Sequence, residues 1–296
     1  MVAGVVPALL AAVAFAVYQL VNRRALLGVD VYRGTSTVMG VGAVLLLLVA
    51  GLTGGLALVP SAPLTSLLLC AAAGFVHFFC GWTFLGWSQV RLGAARTGIL
   101  IGTVPLFGAL IAALALGEAL SPQDVVGLLV VVSGVAIVSA RRGAADTPVA
   151  DARLGVAAGL ATALCWSSSP VLIRRGLEGL PSPLAGAAIG MLASAVVYGL
   201  AVLLTRRRAR RSVVEPGTRR LLLIVGLAAS FAIWMQWTAF DLAPVATVLA
   251  LLQLTPITVV VLASRIGGDR LTGRAQQRVL LGAALTVSGS LLLVLG

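Results

Sequence analysis

Two stretches of this chain, set one above the other, decide the fold. Gly4–Gly28 reads GVVPALLAAVAFAVYQLVNRRALLG, and Gly155–Gly179 reads GVAAGLATALCWSSSPVLIRRGLEG, 151 residues further on. At that offset Arg23-Arg24 falls on Arg174-Arg175 and Gly28 on Gly179. Pro105 falls on Pro256, Glu118 on Asp269, Leu120 on Leu271 and Ser121 on Thr272. A short insertion near Gly273–Gln276 moves the offset to 155, where Gly127 meets Gly282 and Val132-Ser133-Gly134 meets Val287-Ser288-Gly289. Apolar helices match one another by chance, but chance does not hold one offset through prolines and acids across four helices. The chain reads as a duplication. We place a first repeat over 1–143, a linker over 144–152 and a second repeat over 153–296.

Composition gives the solvent. Of 296 residues, 60% are hydrophobic and 10% charged, with a mean hydropathy of +1.09. A soluble domain carries roughly 25% charged residues to cover its core. This composition excludes a soluble enzyme, a disordered chain and a disulfide-built secreted scaffold. The three cysteines, Cys70, Cys80 and Cys165, lie singly in apolar runs and read as small buried side chains. All 21 basic residues are Arg, and the formal net charge is +12. GC-rich codons explain the arginine, and no soluble basic domain exists to hold a nucleic acid.

Apolar runs at about 3–22, 34–54, 64–88, 94–116, 121–140, 154–173, 183–205, 219–240, 243–264 and 276–295 predict ten spans. They are too long and too evenly apolar for barrel strands. In hydrocarbon the backbone must then satisfy itself as helix. The apolar N-terminus has no basic leader and is longer than a signal-peptide core, so it reads as the first span. Arg141–Arg153 reads as a polar loop, and Arg206–Arg220 as a basic surface loop. Five spans per copy is an odd number, so the second copy enters the membrane upside down. The fold class is an all-α polytopic membrane protein with ten transmembrane helices in two inverted five-helix repeats. That build is usual in secondary transporters, with substrate near the midplane between the halves.

Each half also resembles a known pattern. Pro105-Leu106-Phe107, Glu118-Ala119-Leu120, Gly127 and Gly134 recur as Pro256, Asp269-Arg270-Leu271, Gly282 and Gly289. Trp87-Ser88-Gln89 through Ala94-Ala95, and Ala239 through Pro244, fit it too. The chain is similar to the EamA-type, ten-helix members of the drug/metabolite transporter (DMT) superfamily over nearly its whole length. It departs from them in Asp269, where Glu is usual, and in the expansion after Thr272. The resemblance implies a carrier of small metabolites, often amino acids and often outward. It also implies a cavity among helices one, three, four, six, eight and nine.

No Walker A sequence is present, so gradients rather than ATP would drive transport, with no cofactor, no metal and no catalytic residue. An ionisable group inside a span is a functional candidate by default. Glu118, Asp124, Asp241 and Asp269 map to span ends. His77, the lone histidine, sits midway along the third span and is the candidate for proton or substrate binding. The other substrate-binding candidates are the polar and aromatic residues inside spans: Tyr18, Gln19 and Asn22 in the first, Thr103 in the fourth, and Trp166, Ser167 and Ser169 in the sixth. Trp234 and Gln236 in the eighth, and Gln253 and Thr255 in the ninth, complete the set. Serines before Pro170 soften the sixth span toward a discontinuous helix. Trp82, Trp87 and Trp237 read equally as interfacial anchors. Pro105 and Pro256 are hinge candidates, since each removes a backbone bond mid-span.

The expected function is a secondary active exporter of small polar or amphipathic metabolites such as amino acids, working by alternating access. It would sit in the cell membrane, as in a bacterial inner membrane, as a monomer or homodimer. Its partners are a small-molecule substrate, the lipid bilayer and, through His77, protons. The alternatives are a proton-coupled multidrug antiporter, which would want a buried carboxylate, and an intramembrane serine hydrolase using His77 with Ser167, Ser168 or Ser169. The odd-numbered loops carry every arginine except Arg174 and Arg175. The positive-inside rule then puts both termini outside, whereas the resemblance implies termini inside.

Overall fold

A computed structural model describes residues 2–108, 111, 121–139, 149–205, 214–243, 245–252, 254–262 and 273–295. Statements below concern these residues. The structure is helical throughout. The helices, numbered as the spans, are α1 Val2–Leu26, α2 Val31–Leu52, α3 Leu64–Leu92 and α4 Ala94–Ile101. They continue as α5 Pro122–Ser139, α6 Val149–Gly179, α7 Pro183–Thr205 and α8 Pro216–Leu242. The segments Val245–Leu252 and Leu254–Leu262 form α9, and Arg274–Leu295 forms α10. Six of these, α1, α2, α3, α6, α7 and α8, are long and apolar enough to cross a bilayer. The molecule is an all-α polytopic membrane protein.

The helix ends follow local chemistry. Asp30 caps α2, its carboxylate accepting from the Tyr32 and Arg33 amides at 3.1 and 3.3 Å. Prolines open α5, α7 and α8, where a missing N–H costs nothing. Gly93, at φ 84°, turns the chain between α3 and α4 in a conformation that other residues rarely adopt.

The sides of the helices are sorted as the bilayer requires. Ala8, Ala11, Ala12 and Ala16 are fully buried in α1, while Val6, Leu10 and Val13 are exposed. Leu48, Leu52, Leu200 and Leu204 likewise face outward. Small residues let backbones approach, and large apolar ones meet lipid. Gly74 of α3 lies so close to Gly190 of α7 that a Cβ there would collide with backbone atoms.

The helices pack in pairs: α1 along α8, α3 along α6, α2 along α7, α4 along α9 and α5 along α10. In the last pair the glycines exchange partners. A Cβ on Gly134 would lie 2.7 Å from the Gly282 carbonyl, and one on Gly289 would lie 2.7 Å from the Gly127 carbonyl.

Three features differ from the sequence reading. The stretch 141–153, expected as a loop, is helical from Val149, because Asp151 favours a helix N-terminus and pairs with Arg91 at 3.8 Å. Helix α6 does not break at Pro170. Proline cannot donate to the Trp166 carbonyl, and Ser169 Oγ donates to it instead at 3.4 Å. Trp82 and Trp237 are not interfacial anchors, since both are fully buried in the core, and Trp87 is half-buried.

Candidate functional site

A cavity of about 50 Å³ lies between the middles of the helices. Its polar and ring-bearing walls are Gln19 of α1, His77 of α3, Trp166 of α6, Gln236 of α8 and Thr255 of α9. Phe15, Ile101, Val104, Leu249 and Leu252 complete the lining. No Asp, Glu or Arg is among these residues.

His77 is placed there by a local change of helix type. Phe75–Cys80 forms a π turn inside α3, a feature common at functional sites. Its irregular backbone leans on side chains from α6 and α7. Ser194 Oγ donates to the Gly74 carbonyl at 2.8 Å, and Tyr198 Oη to the Phe79 carbonyl at 3.0 Å. Trp166 Nε1 donates to the His77 carbonyl at 3.0 Å, and Thr162 Oγ1 to the Gly81 carbonyl at 3.2 Å. In apolar surroundings each unmade bond would carry a desolvation penalty, so these donors fix the π turn.

The imidazole is also held. His77 Nδ1 lies 2.7 Å from Ser169 Oγ, and the Trp166 indole stacks on the ring at 5.3 Å and 14°. Ser169 Oγ also lies 3.4 Å from the Trp166 carbonyl, so the hydroxyl sits between that carbonyl and the imidazole.

On the far side, Thr255 Oγ1 donates to the Ala12 carbonyl at 3.0 Å, tying α9 to α1. Below Gln19, Gln89 Nε2 donates to the Gln19 carbonyl at 3.3 Å, and Asn22 Nδ2 donates to Gln89 Oε1 at 2.9 Å. The side-chain oxygens of Gln19 and Gln236 are buried without a hydrogen-bond partner among the described residues.

Of the twelve substrate-binding candidates, the structure brings Gln19, His77, Trp166, Gln236 and Thr255 to one cavity. Ser169 stands behind His77. Asn22 lies one turn beyond Gln19, bonded to Gln89. Tyr18 turns into the core and stacks on Trp82 at 4.5 Å. Thr103 and Ser167 donate to their own helices, at the Leu100 and Leu164 carbonyls, and half-buried Trp234 packs against the core. Gln253 lies outside the described residues, as do Glu118 and Asp269. The side chains of Asp124 and Pro256 are likewise not described, and Asp241 is exposed at the end of α8. Pro105 is buried just past a break in α4 at Gly102-Thr103.

The apolar lining escaped the sequence reading, although the repeat held the signal. Phe15 and Trp166 are equivalent at the 151-residue offset, as are Ile101 and Leu252, and Val104 and Thr255. All six line the cavity.

Comparison with known proteins bears on what such a cavity serves. The profile of the EamA-like transporter family matches residues 2–140 and again 153–295. A probable terminal-alkyne amino-acid exporter of Streptantibioticus cattleyicolor is 29% identical over 116 residues, which is 39% of this chain and 38% of that protein. The match thus spans well under half of that relative's length. A solved structure described only as "Crystal structure of protein" superposes with a TM-score of 0.65, covering 95% of this chain and 94% of that one at 20% identity. That likeness is one of fold.

Proposed function

The chain belongs to the EamA-like transporter family, and from that premise we propose that it is a secondary active exporter of small polar or amphipathic metabolites, amino acids among them. It is a multi-pass membrane transporter of small molecules and not an enzyme. The export direction and the amino-acid class rest on the partial likeness to the amino-acid exporter. The proposed setting is the inner membrane of a bacterium.

One observation carries the reading: the cavity is walled by residues equivalent in the two repeats, Phe15 with Trp166, Ile101 with Leu252 and Val104 with Thr255. We take the domains as 1–143 and 153–296, inverted about an axis through this cavity. The pairing of α1 with α8 and of α6 with α3 supports that arrangement, because inversion exchanges the two pairs. So does the exchange of partners between Gly134 and Gly289. In this conformation the cavity has room for a few waters. A metabolite therefore enters only when the halves part, as alternating access requires. Pro105 and Pro256 are the proposed hinges.

A proton-coupled multidrug antiporter would be favoured by a carboxylate in the wall, and the described lining has none. Ser169 and His77 meet at the distance of a nucleophile and its base. Hydrolysis would also need a group to orient the imidazole, and the described lining offers no acid for it.

The test is uptake of a radiolabelled metabolite panel into inside-out vesicles containing the chain, with and without ionophores. Accumulation that collapses with the gradient is the expected result. Equal fluxes with and without the chain would overturn the reading.

A further inference from the structure

Beyond Gln19, the helices are held together by hydrogen-bonded side chains. Asn22 Nδ2 donates to Gln89 Oε1 at 2.9 Å, and Gln89 Nε2 donates to the Gln19 carbonyl at 3.3 Å. Beside them, Ser88 Oγ and Thr97 Oγ1 lie 3.0 Å apart. The repeat gives each of the four a counterpart 151 residues on: Ile173 for Asn22, Phe240 for Gln89, Ala239 for Ser88 and Val248 for Thr97. All eight side chains are buried. One half thus holds with hydrogen bonds what the other holds with apolar contact alone.

The two sets lie at opposite ends of the bundle. Asn22 and Gln89 are near the C-terminal ends of α1 and α3, and Ile173 and Phe240 near those of α6 and α8. Arg91 at the end of α3 meets Asp151 at the start of α6. Gly4 at the start of α1 packs on Ala243, just past α8. Phe240 lines one hollow with Arg174 and Leu177, so α8 meets α6 there as α3 meets α1 at the other end. The polar end is the arginine-rich one, next to Arg23, Arg24 and Arg91.

Parting the helices at either end lets water in, and the two sets respond differently. Water replaces the partner of an amide or a hydroxyl, so most of each hydrogen bond is recovered. Nothing replaces the neighbours of Ile173, Phe240 and Val248, whose exposure carries the full hydrophobic penalty. Because the positions are equivalent, this difference in chemistry biases one opening over the other.

We infer that Asn22–Gln89 and Ile173–Phe240 are the two gates of the cavity, and that the empty carrier opens by preference through the polar gate. This rests on the carrier reading of the cavity and adds a direction to it. The positive-inside rule puts the arginine-rich end in the cytoplasm, so the empty carrier loads there, as export requires.

One thiol in the cavity wall reads the preference. Gln236→Cys, in a chain with Cys70, Cys80 and Cys165 replaced by Ala, is labelled without substrate in right-side-out and in inside-out vesicles. The reagent is a membrane-impermeant methanethiosulfonate. Leu27→Cys and Glu178→Cys, both exposed and at opposite ends, identify the face that each preparation presents. The cavity thiol should react about tenfold or more faster from the Leu27 face, since exposing one large apolar side chain already shifts a population by about that factor. Asn22→Ile combined with Gln89→Phe copies the apolar gate and should bring the two rates within about threefold. The single-thiol series decides even where that variant fails to fold. Equal rates from the two faces, faster reaction from the Glu178 face, no reaction from either, or a folded gate variant that keeps the full preference would overturn the inference. Metabolite counterflow by the unsubstituted chain separates this failure from that of the carrier reading. Transport without the labelling preference overturns only the gates, whereas no transport overturns the carrier and the gates with it.

Discussion

Phe15 and Trp166 occupy the same position in the two repeats, 151 residues apart, and their rings face each other with centroids 6.5 Å apart at 37°. Residues related by a two-fold axis touch each other only beside that axis. This contact supports an axis that runs through the cavity, where each half supplies one ring.

Trp166 also holds the π turn, and its two roles separate by substitution. Trp166→Phe keeps a ring over His77 and removes the bond to the His77 carbonyl, which should cost about 1 kcal/mol of stability. Trp166→Ala removes the ring as well and should cost about 3–5 kcal/mol. Thermal unfolding in detergent reads both. Equal losses would mean that the ring contributes nothing.

Any proton dependence of transport should run through His77, the one imidazole of the described lining. His77→Ala should flatten whatever pH dependence the transport shows. An unchanged profile would move coupling to an acid at a helix end or point to facilitated diffusion.

Gly74 marks where α3 and α7 touch backbone to backbone. Gly74→Ala should destabilise the fold by about 2–3 kcal/mol, because neither backbone can yield to the added methyl. Gly40→Ala is the control: a Cβ there meets nothing within 4 Å, so the helix should gain up to about 1 kcal/mol. A similar loss at both sites would contradict the packing.

Orientation is open to a reporter pair fused after Gly296. The arginines, confined to the odd-numbered loops except for Arg174 and Arg175, favour both termini outside. An active alkaline phosphatase and a dark fluorescent protein are expected. A bright cytoplasmic signal would reverse the orientation and leave the transporter assignment standing.

The helices were legible because apolar run length reports bilayer thickness directly, and the duplication because proline and glycine mark backbone geometry. Five candidate residues met at the cavity because a polar side chain inside a span needs a protein partner or a cavity, which is all that sequence registers. It does not register which. Tyr18 and Gln19 are neighbours in the sequence, yet Tyr18 stacks in the core and Gln19 faces the cavity, because adjacent helical positions point about 100° apart. The π turn left no mark either. It depends on donors such as Tyr198 and Ser194, more than a hundred residues away. Pro170 misled because Ser169 repairs the bond that the proline removes.

The claim that substrate passes through this cavity meets its most direct test at Gln236. With Cys70, Cys80 and Cys165 replaced by Ala, Gln236→Cys puts one thiol in the wall. Proteoliposomes carrying that variant are treated with a methanethiosulfonate reagent, with and without leucine, and leucine counterflow is measured. The account predicts that the reagent stops counterflow and that leucine protects against it. A thiol that reacts at the same rate with leucine present, in vesicles that still transport after modification, would contradict it.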